Sequence, residues 1–129
     1  MSDPVRIPLR AVVVFHDRQI ARHGGAAGFR DLALLEAACR PAVNRHAYAS
    51  ASLVELAAAY AFGIAKARAF VDGNKRTACV TAVTFLRVNG LVFRTDAIEG
   101  VRMMEDLAAG KVLENDFADW LARDVTPIG

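Results

Sequence analysis

Lys66-Ala67-Arg68-Ala69-Phe70-Val71-Asp72-Gly73-Asn74-Lys75-Arg76-Thr77 contains a short polar break between two apolar stretches. On its N-terminal side, Ser52-x-x-Glu55 is a capping-box pattern that opens a helix with Leu56, Tyr60 and Ile64 in register. On its C-terminal side a helix is expected over about Asn74–Val88. Its apolar stripe is Ala78, Cys79, Ala82, Phe85 and Leu86, and Asn89-Gly90 closes it. The break, Arg68–Gly73, is therefore a loop that runs directly into a helix start.

The same periodicity extends in both directions. Upstream, a helix over about Pro8–Arg22 puts Leu9, Val12, Val13, His16 and Ile20 on one face, with Pro8 suited to the first helical position. Gly24, Gly25 and Gly28 form a loop. Asp31 can then cap a second helix, Leu32–Arg40, which Pro41 is expected to stop. Downstream, Asp96-x-x-Glu99 begins a fifth helix ending at Gly110. A sixth starts at Asn115 or Asp116 and carries Phe117, Trp120 and Leu121. Beyond the short run Leu91–Phe93, no second alternating segment is expected to pair into a sheet. The expectation is an all-α fold, a compact single-domain bundle of about six helices with its core between about residues 9 and 121.

Size and charge agree with this. A chain of 129 residues falls in the usual one-domain range of about 100–150. It can bury roughly two-thirds of its unfolded surface. A hydrophobic fraction of 54% argues against disorder. Sixteen basic residues against 14 acidic ones argue against a non-specific nucleic-acid coat. No apolar run approaches the ~20 residues that span a bilayer. Met1, Asp3, Pro4 and Arg6 do not read as a signal peptide, and Cys39 and Cys79 read as reduced thiols. The expected location is cytoplasmic, with no membrane partner.

The chemistry gathers at the helix start. Residues 66–76 hold Lys66, Arg68, Lys75 and Arg76 against Asp72 alone. Free backbone N–H groups there favour anions, and Gly73 admits a close approach to the backbone. Lys75 and Arg76 oppose the helix dipole, a conflict that a bound anion resolves. Asp72 beside phosphates suits Mg²⁺, which takes one or two carboxylates plus phosphate oxygens. The plainer reading makes Asp72 an N-cap and leaves Lys75 and Arg76 solvated; spacing alone leaves both open. A Walker loop is excluded, because Asn74 separates Gly73 from Lys75.

Phe70-x-Asp72-Gly73-Asn74-Lys75-Arg76 resembles the signature of the Fic/Doc superfamily, and Lys75 makes it look like the Doc (death-on-curing) branch. His23-Gly24-Gly25, Gly28-Phe29-Arg30-Asp31, Leu34-Leu35-Glu36 and Phe85-Leu86-Arg87-x-Asn89-Gly90 extend the similarity from about Leu9 to Leu121. The resemblance implies a helical toxin of a bacterial toxin–antitoxin pair, using ATP and Mg²⁺. It implies transfer of the γ-phosphate to a threonine of elongation factor Tu, which blocks translation. It further implies that Asn74, Arg76 and backbone amides from Gly73 onward hold phosphates. Asp72 would bind the metal or orient the nucleophile. Lys75 would hold the transferring phosphoryl group, and Phe70 would be buried to fix the loop. A cognate antitoxin is the implied partner, with the Gly90–Asp96 and Asn44–Ser52 connections as candidate contacts.

One position departs from the pattern: Arg68 stands where the family carries its catalytic histidine. Arginine stays protonated and has no acceptor, so it cannot take a hydroxyl proton. Nor is an obvious replacement base present. His16 lies on the apolar face of the first helix and reads as a satisfied core histidine. His23 helps end that helix, and His46 sits in a polar connection, expected exposed. Arg68 marks either a divergent member that binds without catalysing or, preferably, an inactivated form of a toxin. The alternatives are an AMP-transferring Fic protein and a non-catalytic module binding a nucleotide or partner. A DNA-binding domain fits poorly, since the helix after Arg76 adds only Arg87 to its charge.

Overall fold

Helix α3 (Leu53–Ala67) is apolar on nearly every side. Leu56, Ala57, Ala58, Ala59, Tyr60, Ala61, Ile64 and Ala65 are all buried, as expected of a helix at the centre of a bundle. In the computed structural model, which describes residues 3–49 and 52–128, it packs against α2 (Leu32–Ala49), α4 (Asn74–Val88), α5 (Ala97–Ala108) and α6 (Glu114–Arg123). Helix α1 (Leu9–His23) covers α4 from the outside. Across the described residues the fold is an all-α bundle of six helices with one small sheet. The expected capping box is present: Ser52 Oγ accepts from the Glu55 N–H at 3.2 Å, and Glu55 Oε1 accepts from the Ser52 N–H at 3.2 Å.

The alanines of α3 let its neighbours come close, and Gly63 marks the tightest approach. A Cβ there would collide with the backbone carbonyl of Ala38 on α2. Backbone cannot rotate away as a side chain can. Gly63→Ala is therefore expected to destabilise the protein by about 2 kcal/mol despite alanine's better helix propensity. A lowered urea midpoint at unchanged slope is the readout.

The boundaries of four helices differ from the sequence reading. Helix α1 begins at Leu9 with Pro8 as N-cap, and it runs on to His23 before Gly24 turns the chain at φ 80°. Asp31 caps α2 as expected, accepting from the Ala33 N–H at 2.9 Å. Pro41, however, does not stop that helix, which continues through it to Ala49. Leu35, Ala38 and Ala42 are buried on one face, and their packing on α3 outweighs the one lost backbone bond. Pro41 and Ala37 both face solvent, so water can serve the carbonyl left without its donor. The connection expected at Asn44–Ser52 is thus helical as far as Ala49. The side chain of His46 lies outside the described residues.

Helix α6 starts at Glu114 with Leu113 as N-cap, rather than at Asn115 or Asp116. The Asn115 side chain instead accepts from the Asp116 N–H at 3.1 Å within the first turn. Helix α5 ends at Ala108, with Ala109 and Gly110 completing the turn. The sheet was not fully expected. Strand β1 (Leu91–Phe93) pairs antiparallel with β2 (Val125–Pro127), in the register Leu91↔Pro127, Val92↔Thr126, Phe93↔Val125. Three residues ending in proline carry no alternation to read, so only tertiary contact defines β2.

One face of the site-bearing helix is fixed by burial. Thr77, Ala78, Thr81, Ala82, Phe85 and Leu86 of α4 are buried, which leaves that face unavailable to a nucleic-acid groove. At its other end Asn89 caps the helix, its Nδ2 donating to Phe85 O at 2.8 Å and to Val5 O at 3.0 Å. Cys39 and Cys79 are free and half-buried. Burial pushes the Cys39 thiol up to about 11, so it stays protonated and unreactive near neutrality. Among the described residues, no helix is long and apolar enough to cross a membrane.

Candidate active site

The loop between α3 and α4 is built from its backbone outward. Arg68 ends α3 in the left-handed region at φ 50°, ψ 45°. Among the described residues it is the one non-glycine with positive φ. That turn sends Ala69 and Phe70 into the core, each 1% exposed. Asn74 then staples the loop: its Oδ1 accepts from the Phe70 N–H at 3.1 Å, and its Nδ2 donates to the Phe70 carbonyl at 3.0 Å. The Phe70 ring lies parallel to His16, with centroids 3.8 Å apart and planes at 6°, and also stacks on Phe29 at 5.7 Å. Phe70 thus anchors the loop against the core, as the resemblance implied.

The glycine-rich segment before α2 closes the other side. Arg30 N–H donates to Ala69 O at 2.7 Å and Val71 N–H to Gly28 O at 3.1 Å, which sets Phe29 opposite Phe70 in an antiparallel bridge. Asp72 is drawn to the same segment. Its Oδ1 accepts from the Gly73 N–H at 2.9 Å and its Oδ2 from the Ala26 N–H at 3.3 Å. A Cβ at Gly25 would stand 2.7 Å from Asp72 Oδ2, and Gly25 has φ +113°, so glycine is required there on both counts.

Asp72 is not the helix cap. Gly73 holds that position at φ 75°, with no side chain capping the helix and no acidic residue in its first turn. The first intrahelical bond runs from the Thr77 N–H to Gly73 O at 3.0 Å. The N–H groups of Asn74, Lys75 and Arg76 therefore lack intrahelical acceptors and point out of the helix start. Arg68, Asp72, Gly73, Asn74, Lys75 and Arg76 line one cleft of about 670 Å³, which Glu105, Asp106 and Lys111 border from the α5 side. Every site residue read from the sequence thus lies on one cavity.

Lys66 does not join this cationic group. Its Nζ donates to Ala108 O at 3.4 Å, serving the C-terminal end of α5. Asn74 has both ends of its carboxamide committed to Phe70. One remaining amide hydrogen and its backbone N–H are left for a ligand. The Asp72 carboxylate receives two backbone N–H groups and has about four acceptor sites, so it can still meet a cation. Among the described residues no three His, Cys, Asp or Glu side chains gather as a metal site. A hard cation here would rest on Asp72 and on the ligand's own oxygens, a pattern that fits Mg²⁺.

Sequence reasoning missed the residues that come from far along the chain. His16, 1% exposed, is a satisfied core histidine as expected, but its partner is the site itself: Nε2 lies 2.7 Å from the Asp72 carbonyl oxygen. Ala26, Glu105, Asp106 and Lys111 carry no local signal. A second groove of about 980 Å³ shares Lys75, Arg76 and Glu105 with the cleft and continues over Val80, Val83, Phe93 and Met104.

Residues 6–86 match the sequence model of the Fic/DOC family. The protein kinase doc of Escherichia phage P1 is 36% identical over 114 residues, which cover 87% of this chain and 89% of that protein. The toxin Doc of Mycolicibacterium smegmatis (strain ATCC 700084 / mc(2)155) is 43% identical over 75 residues, 57% of this chain and 58% of that protein. With the family's match over most of the chain and a relative aligned nearly end to end, the chain belongs to the Fic/DOC family, beside the Doc toxins.

Proposed function

We propose that the cleft binds ATP with Mg²⁺ and that the chain is a Doc-type protein phosphotransferase in which Arg68 holds back the transfer step. The observation that carries this reading is the meeting of Arg68, Lys75, Arg76 and the free α4 N–H groups with Asp72 on one cavity. The phosphates take the backbone amides from Gly73 onward, the Arg76 guanidinium and the remaining hydrogen of Asn74. Lys75 faces the transferring phosphoryl group. Mg²⁺, held by Asp72 and phosphate oxygens, supplies charge neutralisation when bound. Arg68 adds a further phosphate donor but no proton acceptor.

The protein acceptor in this reading is a threonine hydroxyl, with elongation factor Tu as the target suggested by the family resemblance. A cognate antitoxin belongs to the same reading. Of the connections expected to meet it, Gly90–Asp96 supplies Phe93, Arg94 and Thr95 to the second groove. Residues 45–51 of the other lie outside the described side chains.

Calorimetric titration with a non-hydrolysable ATP analogue, with and without Mg²⁺, tests the binding step. Arg76→Ala is expected to weaken binding by about ten- to a hundredfold, the loss of one charge-assisted contact. Absence of nucleotide binding by both the parent chain and Arg68→His would leave a partner-binding module as the better description.

A further inference from the structure

The proposed chemistry leaves the buried imidazole of His16 unused. His16 could be replaced in the core by a plain aromatic ring if packing were all it supplied, since its stack on Phe70 needs no nitrogen. Its Nε2, however, sits 2.7 Å from the carbonyl oxygen of Asp72, 56 residues away in the chain. A carbonyl only accepts, so Nε2 carries the hydrogen. The other nitrogen, Nδ1, lies 3.7 Å from the Asp17 carboxylate, which is 68% exposed.

The consequence follows from peptide geometry. In a trans peptide the C=O of Asp72 and the N–H of Gly73 point in opposite directions. Holding that carbonyl toward α1 turns the Gly73 N–H away from it, and this N–H is the one that meets Asp72 Oδ1 at 2.9 Å. The same peptide leads into the N-cap of α4, so its plane also sets the direction of the first free amides. Gly73 packs over the imidazole closely enough that an added Cβ would stand 3.6 Å from His16 Cδ2. Ring and nitrogen therefore act on adjacent parts of one loop.

We infer that His16 is a positioning residue for the site. By binding the Asp72 carbonyl and stacking on Phe70, it fixes the Asp72–Gly73 peptide plane. The Asp72 carboxylate and the α4 amides are fixed with it. The link to nucleotide affinity rests on the function proposed above; the link to loop geometry does not.

The test compares His16→Phe, which keeps a stacking ring without a donor, with His16→Gln, which keeps a donor without the ring. In the ligand-free protein, hydrogen exchange at the Gly73 amide is expected to speed up about tenfold in His16→Phe, the weight of one hydrogen bond. Exchange at buried α3 amides should not change. His16→Gln should return the Gly73 rate to within about threefold of the parent. In titrations with a non-hydrolysable ATP analogue and Mg²⁺, the same order is expected, with about a tenfold loss for His16→Phe and recovery in His16→Gln. Unchanged Gly73 exchange in a folded His16→Phe protein overturns the proposal, whether or not nucleotide binds. If the parent chain binds no nucleotide, the proposed function fails while amide exchange still decides the role of His16. Should both variants fail to fold, the parent's imidazole ¹⁵N spectrum decides, because a proton on Nδ1 alone would overturn the proposal.

Discussion

Arg68→His is expected to raise phosphoryl transfer to a protein hydroxyl by about 10²–10⁴, the usual contribution of a general base. The nucleophile must lose its proton as the new P–O bond forms. The guanidinium that now lines the cleft cannot take it, because it offers only N–H donors and no acceptor. Imidazole titrates near neutrality and can. The backbone favours the exchange as well. Residue 68 sits in the left-handed region at φ 50°, where histidine is enriched relative to most non-glycine residues. The variant should therefore keep the loop and the stability of the parent.

Removing a cation from the cleft lowers nucleotide affinity, so the comparison belongs at saturating Mg²⁺–ATP. The gain should then appear in kcat. Mass spectrometry of elongation factor Tu after incubation identifies the product. A single added phosphoryl group supports the proposed reaction, while an added AMP group would assign the chain to nucleotide transfer instead. In cells, Arg68→His should inhibit growth unless an antitoxin is present. A folded Arg68→His protein that binds nucleotide yet modifies nothing, in vitro or in cells, would count against a latent transferase and for a binding module.

The parts of this site that were legible in the sequence are those whose cause is local. The capping box at Ser52 and Glu55, the start of α4 after Gly73 and its stop at Asn89-Gly90 each depend on residues within a turn of one another. The cationic cluster was readable for the same reason. Local rules failed where packing overruled them. Pro41 reads as a stop, yet α2 continues because Leu35, Ala38 and Ala42 remain buried beneath it. Strand β2 exists through pairing with β1, and its three residues say nothing alone. The most instructive case is His16. Its position on the apolar face gave its burial correctly, but the carbonyl it meets lies 56 residues onward. Likewise Lys66 reads as part of the cationic group until α5 folds across and takes its ammonium at Ala108.

Phe70→Ala is expected to be among the most damaging single changes, costing about 3–5 kcal/mol as a large aromatic is removed from a closed core. Phe70 is 1% exposed and is held on two faces, by His16 at 3.8 Å and by Phe29 at 5.7 Å. Neither neighbour can follow it inward. His16 is tied to the Asp72 carbonyl, and Phe29 lies in the bridge between residues 28–30 and 69–71. The cavity should therefore stay largely open, and the melting temperature should fall on the order of 10–20 °C. Phe70→Leu refills much of that volume but cannot stack flat on the imidazole. It should recover more than half of the lost stability while nucleotide affinity remains below that of the parent. That split separates two roles of one side chain: its bulk stabilises the bundle, whereas its flat face places the loop that carries Asp72 and the α4 N–H groups. Equal recovery of stability and affinity in Phe70→Leu would reduce Phe70 to core packing alone.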